Sequence, residues 1–177
     1  MELHMHSHHF AYRIPDWRAA AIGGCIAGAV FLLLELVAMW MFGQSPWGAP
    51  RMIAAIALGH GVLSQPATFG FGFGILLGGL IVHFVLSAIF VLVLAVIIAP
   101  FNLDSSVGMA SLAGAGFGVA LYLVNFYGMS HIVPWFADAR SWASFVSHIV
   151  FGLVAADTYL RFETKDEARL SAGGANS

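Results

Sequence analysis

Residues 72–99 read GFGILLGGLIVHFVLSAIFVLVLAVIIA and stop at Pro100. No charged side chain interrupts them, and His83 and Ser87 are the only polar ones. An α-helix rises about 1.5 Å per residue, so roughly 20 apolar residues cross a hydrocarbon core of about 30 Å. This stretch can therefore span a membrane. Three more runs meet the same requirement, at about Ala19–Phe42, Val107–Met129 and Ser141–Leu160. Turn chemistry separates them: Gly43, Ser45 and Pro46 after the first, Pro100 to Asp104 after the second, Pro134 and Asp138 after the third. The expected fold is all-α, a polytopic transmembrane four-helix bundle.

Composition agrees. Of 177 residues, 60% are apolar and 9% charged, with a mean hydropathy of +0.87. Soluble domains carry about 25% charged residues, so this chain has too few charges to coat a surface facing water. Only seven residues are Lys or Arg and the net charge is −2, which excludes a nucleic-acid binder working through phosphate neutralisation. The single cysteine, Cys25, excludes an intramolecular disulfide framework and is expected as a small core residue. The first apolar run is too long for a signal-peptide core, so no cleavable signal peptide is expected.

The chain divides into a His-rich polar tail over residues 1–18, a single transmembrane domain over 19–160 and a polar tail over 161–177. The connection from Gly43 to Phe71 is too long for a structureless loop in a compact domain. Its middle, about residues 50–60, is nearly all apolar but too short to span, and reads as an interfacial or re-entrant helix. Arg13 and Arg18 precede the first span while Arg161, Lys165 and Arg169 follow the fourth; the opposite side has only Arg51 and Arg140. Basic flanks resist translocation, so both termini are expected in the cytoplasm. Trp17, Trp47, Trp135, Trp142 and Tyr159 fall near the expected boundaries, where amphipathic rings prefer to lie.

Each span carries one notable polar group: Glu35, His83, Asn125 and His148. Counting helical rise places them in one layer toward the non-cytoplasmic end. Spacings of four, seven or eleven residues put Glu35 on a face with Gly24 and Gly28, His83 with Gly79 and Ser87, Asn125 with Gly114, Gly118 and Tyr122, and His148 with Ser144 and Gly152. Small residues mark where membrane helices approach closely, so these polar groups are expected to face one another. Intramembrane ionisable groups are functional candidates. Glu35, His83 and His148 could form a site for protons or a divalent metal ion, with Asn125, Tyr122 and Ser87 as a polar network. Two histidines on facing helices also fit a b-type haem. The bland alternative is that each is a hydrogen-bonded packing residue, an interaction averaging about 0.6 kcal/mol in membranes.

His4, His6, His8 and His9 form a tail that could collect divalent metal or gain charge on acidification, or simply be solvated. Two halves share an order of motifs: Pro46-Trp47 with Pro134-Trp135, Arg51 with Arg140, and His60 with His148. This is either a duplication, which would make His60 a further ligand candidate, or a coincidence among abundant residue types. No catalytic triad order, phosphate loop, zinc-protease helix or dinucleotide fingerprint is present, so an enzyme is not favoured. The expected surroundings are the lipid bilayer and, through the small-residue faces, a second copy or a membrane-complex partner, as in a non-catalytic assembly subunit.

The segments Val82–Phe90, the Gly114/Gly118 helix with its Pro134-Trp135 connection, and Ser147–Gly152 resemble the YagU-type inner-membrane proteins of bacteria. The resemblance implies a small four-helix protein of the bacterial inner membrane with a link to acid tolerance, and it covers about Gly23 to Leu160. The expected function is a proton- or metal-linked role in the envelope under acid stress. The charge bias makes its own prediction. Reporter domains fused to either end should fluoresce as cytoplasmic fusions and show no periplasmic phosphatase activity; a phosphatase-active fusion at either end would overturn the orientation.

Overall fold

The computed structural model describes residues 15–64, 72–101 and 106–174. Five α-helices carry the fold: α1 Trp17–Met41, α2 Gly48–Leu58, α3 Phe73–Phe101, α4 Val107–Leu123 and α5 Trp142–Gly174. Four helical stretches are long and apolar enough to cross a membrane, with α4 continuing to His131 for this purpose, and α2 is the short apolar helix between the first two. The expected all-α bundle with a short helix after the first span is what the chain forms. His4, His6, His8 and His9 lie outside the described residues.

Local chemistry sets the helix ends. Asp16 caps α1 by accepting from the backbone N–H of Arg18 (2.9 Å) and Ala19 (3.0 Å). Ser106 does the same for α4 through Met109 N–H, at 3.2 Å. Gly59, at φ 86°, ends α2 in a conformation that other L-residues rarely adopt. Pro100 sits in the last turn of α3, where its missing N–H withdraws one rung of the ladder close to the point at which the helix ends.

The helices pack in the order α4, α5, α1, α3, α2, with α3 and α4 barely meeting. Neighbours run antiparallel: a Cβ on Gly24 would lie 2.6 Å from Ala88 Cα, and one on Gly28 would lie 2.7 Å from Ser87 Oγ. Between α4 and α5 the fit is tighter still. A Cβ on Gly114 or Gly118 would overlap the carbonyls of Gly152 and His148, and one on Gly152 would overlap the carbonyl of Gly114. The small-residue faces of α1, α4 and α5 are thus spent on contacts within the chain. Gly79 of α3 does the same for α2, whose Pro50 carbonyl occupies the space of the missing side chain.

The Gly23 and Gly24 contacts of α1 sit toward the end of the bundle where α1 begins, together with the tightest core, which includes Val91, Leu94, Ile98, Ala155 and Tyr159. Toward the other end α1 changes from small residues to Phe31, Glu35 and Met39, and the helices part. Two sequence expectations need correction. Cys25 is exposed on the outer face of α1, because the buried stripe runs through Gly23, Gly24, Ala27 and Gly28. Tyr159 is fully buried, its hydroxyl accepting from Asp16 N–H and donating to Glu163, so it joins α5 to the start of α1 and anchors nothing at an interface. Residues 161–174 continue α5, with Arg161 paired to Asp157 at 2.9 Å.

Trp17, Trp40 and Trp142 are exposed at helix ends, and Leu33, Ile81 and Leu112 lie exposed along the spans, as a lipid-facing surface requires. Because α4 and α5 touch backbone to backbone, Gly152→Val should force them apart. Overpacking of this kind costs about 1–3 kcal/mol or more. The variant should unfold at a clearly lower temperature in detergent than Gly116→Val, since nothing lies within 4 Å of Gly116; equal melting of the two would refute the contact.

Candidate functional site

Three helices each present an i, i+4 pair toward the same space: Phe31 and Glu35 from α1, His83 and Ser87 from α3, Ser144 and His148 from α5. They line a cavity of about 660 Å³ together with Asn125. That volume lies within the range of small-molecule sites, which are mostly apolar with a few placed polar groups. The cavity is walled on one side by α2, through Met52, Ile53 and Ile56, and on another by the turn Pro134–Ala139. Trp135 joins those two walls by donating from Nε1 to Met52 O at 3.1 Å.

The imidazoles are held by backbone. His83 Nε2 lies 2.8 Å from Gly28 O, and His148 Nδ1 lies 2.7 Å from Ser144 O. A carbonyl can only accept, so each of these nitrogens carries its hydrogen. His148 Nε2 then accepts from Asn125 Nδ2 at 3.4 Å. Both rings are fixed in orientation. Gly28 is what lets α3 come close enough for the first of these bonds, since a side chain there would meet Ser87.

Phe31 packs against both rings. Its centroid is 5.9 Å from that of His83 in a stacked arrangement and 4.8 Å from that of His148 edge-on. A zinc ion needs its imidazole nitrogens at about 2.0–2.1 Å. Among the described residues no group of three or more His, Cys, Asp or Glu side chains is placed to hold a metal. Glu35, His83 and His148 share the cavity without forming one coordination shell.

Glu35 is placed differently from the histidines. Its Oε2 accepts from Ser144 Oγ at 3.2 Å and Ser147 offers a second hydroxyl to the carboxyl, while Oε1 is buried without a well-formed hydrogen bond. Arg140, at the exposed rim, is the only basic side chain other than histidine lining the cavity. Its guanidinium is already used: Nε donates to Phe126 O at 2.8 Å, Nη2 donates to Ser130 Oγ at 3.1 Å, and its carbon lies 4.4 Å from the centroid of the Tyr127 ring.

That use of Arg140 follows from a feature hidden in the sequence. After α4 the helix widens into a π-helical turn, Val124–Gly128, which carries Asn125 into the cavity wall. Such turns disturb the regular ladder and are frequent at functional sites. Arg140 had counted as a flank charge and as a repeat match to Arg51, not as a site residue. Tyr122 packs behind His148, with centroids 5.6 Å apart, and is not in the lining. His60 also stands outside the cavity, exposed and 5.4 Å from the Trp135 ring centroid. Phe31 and Ser144 were missed as site residues, although each lies four positions before one that was singled out.

Fold and site define a multi-pass α-helical membrane protein with a mostly apolar cavity that holds one incompletely paired carboxyl group. No family model, curated protein or solved structure matches the chain. Arg140→Ala should release the π-helical turn. Hydrogen bonds from charged donors are worth about 1.5–3 kcal/mol when well shielded, and the lower end applies at this exposed rim. Amide exchange over residues 124–131 should speed up about tenfold while the middle of α5 is unchanged; unaltered protection would show that Arg140 does not hold the turn.

Proposed function

We propose that this chain is a proton-handling membrane protein in which Glu35 is the group that takes up and releases the proton. One observation carries the reading: on the wall of a cavity among membrane-spanning helices, a carboxyl meets serine hydroxyls and no cationic side chain. An ionised carboxylate in apolar surroundings costs several kcal/mol unless it is paired. Arg140 is committed elsewhere, and the neighbouring imidazoles point their hydrogens at backbone carbonyls. Charge balance at Glu35 must therefore come from outside the protein, as a proton or as a cation entering the cavity. The absence of a metal shell among the described residues favours protons over the metal-linked form of the same reading.

His83, His148 and Asn125 have a narrower part in this function. They form a hydrogen-bonded wall of fixed orientation that keeps the space beside Glu35 open. A bacterial inner membrane with both termini in the cytoplasm would set the cavity toward the far side, where external acid arrives. The charge bias of the flanks and the resemblance to YagU-type proteins support that setting, and acid stress as its occasion.

Infrared difference spectroscopy of the purified protein in lipid nanodiscs tests the reading. Acidification should bring up a protonated-carboxyl stretching band that reverses on returning to neutral pH and is missing in Glu35→Gln. A spectrum with no titrating band assignable to Glu35, in protein that remains helical and folded, would reject it.

A further inference from the structure

We propose that the cavity binds a lipophilic organic cation, one positive charge on an aromatic or bulky apolar body, with the charge placed against Glu35. The inference rests on the reading of Glu35 as an exchangeable proton site and adds the class of ligand that exchanges with the proton. Three observations converge on it. Glu35 lines the cavity, and its carboxyl meets serine hydroxyls with no cationic side chain paired to it, so the cavity wall carries an uncompensated acidic group. The same cavity is lined by Phe31, Phe90, Phe126, Phe136 and Phe151. Aromatic rings attract cations through their quadrupole, most strongly where water is excluded. The volume of about 660 Å³ also accepts a body far larger than a metal ion or a water molecule.

The other charged or titratable groups around Glu35 do not compete for that role. From α3 comes His83 and from α5 His148, both bonded to backbone carbonyls. The rim contributes Arg140, held by Phe126 and Ser130, and Asp138, which adds negative character at the opening. α2 faces the cavity with apolar side chains, its Arg51 lying outside the lining. An anion would meet a carboxylate at depth and another near the rim. A neutral apolar molecule would leave the carboxyl as it is. A cation answers both the charge and the rings.

Binding of the cation and of the proton are then mutually exclusive at one carboxyl, so ligand affinity falls as the proton occupies it. The test uses two probes of one shape and opposite charge, tetraphenylphosphonium and tetraphenylborate, by calorimetric titration into the full chain in nanodiscs of neutral lipid. The phosphonium should bind in the alkaline range and at least tenfold more weakly in acid. Glu35→Gln should weaken it at least tenfold and remove the pH dependence, while Glu35→Asp restores part of both. Tetraphenylborate should show no saturable binding beyond that of empty nanodiscs. Equal binding of the two probes, or phosphonium binding unchanged in folded Glu35→Gln, would overturn the proposal, as would no phosphonium binding by the wild type. The two readings fail separately. A titrating Glu35 band without phosphonium binding removes the ligand class alone, whereas a carboxyl with no proton exchange removes the proton reading first.

Discussion

Backbone-to-backbone contact between helices, made possible by missing side chains, governs this molecule. In lipid the apolar side chains gain little by leaving one hydrocarbon surface for another, so helices associate through close packing. Gly114, Gly118 and Gly152 let α4 and α5 meet along their main chains, and Gly24 and Gly28 do the same between α1 and α3. Helices pinned at that separation have no room for large residues at the contact. The large residues are displaced along α1 to Phe31 and beyond, where the bundle opens. The cavity is thus a consequence of the same contacts that hold the fold.

The pinning also explains how polar groups are tolerated at depth. His83 reaches the carbonyl of Gly28 across the gap that glycine leaves, and His148 bonds back to Ser144 one turn earlier on its own helix. Each buried imidazole is satisfied by a carbonyl whose position is set by helix geometry. Glu35 departs from that rule, since its carboxyl meets serine hydroxyls. The carboxyl is thereby set apart from the imidazoles that line the same cavity. That asymmetry turns a shared polar layer into a site with a direction.

Much of this was legible in the residues. The absence of charge over 72–99 and the recurrence of three similar runs announced the spans, because bilayer thickness and helical rise leave few alternatives. Spacing by fours and sevens pointed Glu35, His83 and His148 at a common interior, and all three line one cavity with Asn125 and Ser87. Spacing could not say what packed against them. Phe31 shares the face of Glu35 by the same arithmetic, yet its packing against both imidazoles depends on how far α1 stands from α3 and α5. Cys25 and Tyr159 were misread because hydropathy does not distinguish a lipid-facing position from a packed one.

The amino-acid sequence by itself determined that the chain is helical and membrane-spanning, and which side of each helix is narrow. Those properties follow from local hydropathy and periodicity, which each segment carries alone. Only the tertiary structure decided which carbonyl each histidine bonds, that a π-helical turn brings Asn125 into the wall, and that one phenyl ring packs against both imidazoles. Those outcomes depend on distances between helices, set jointly by every contact in the bundle, and no single segment encodes them.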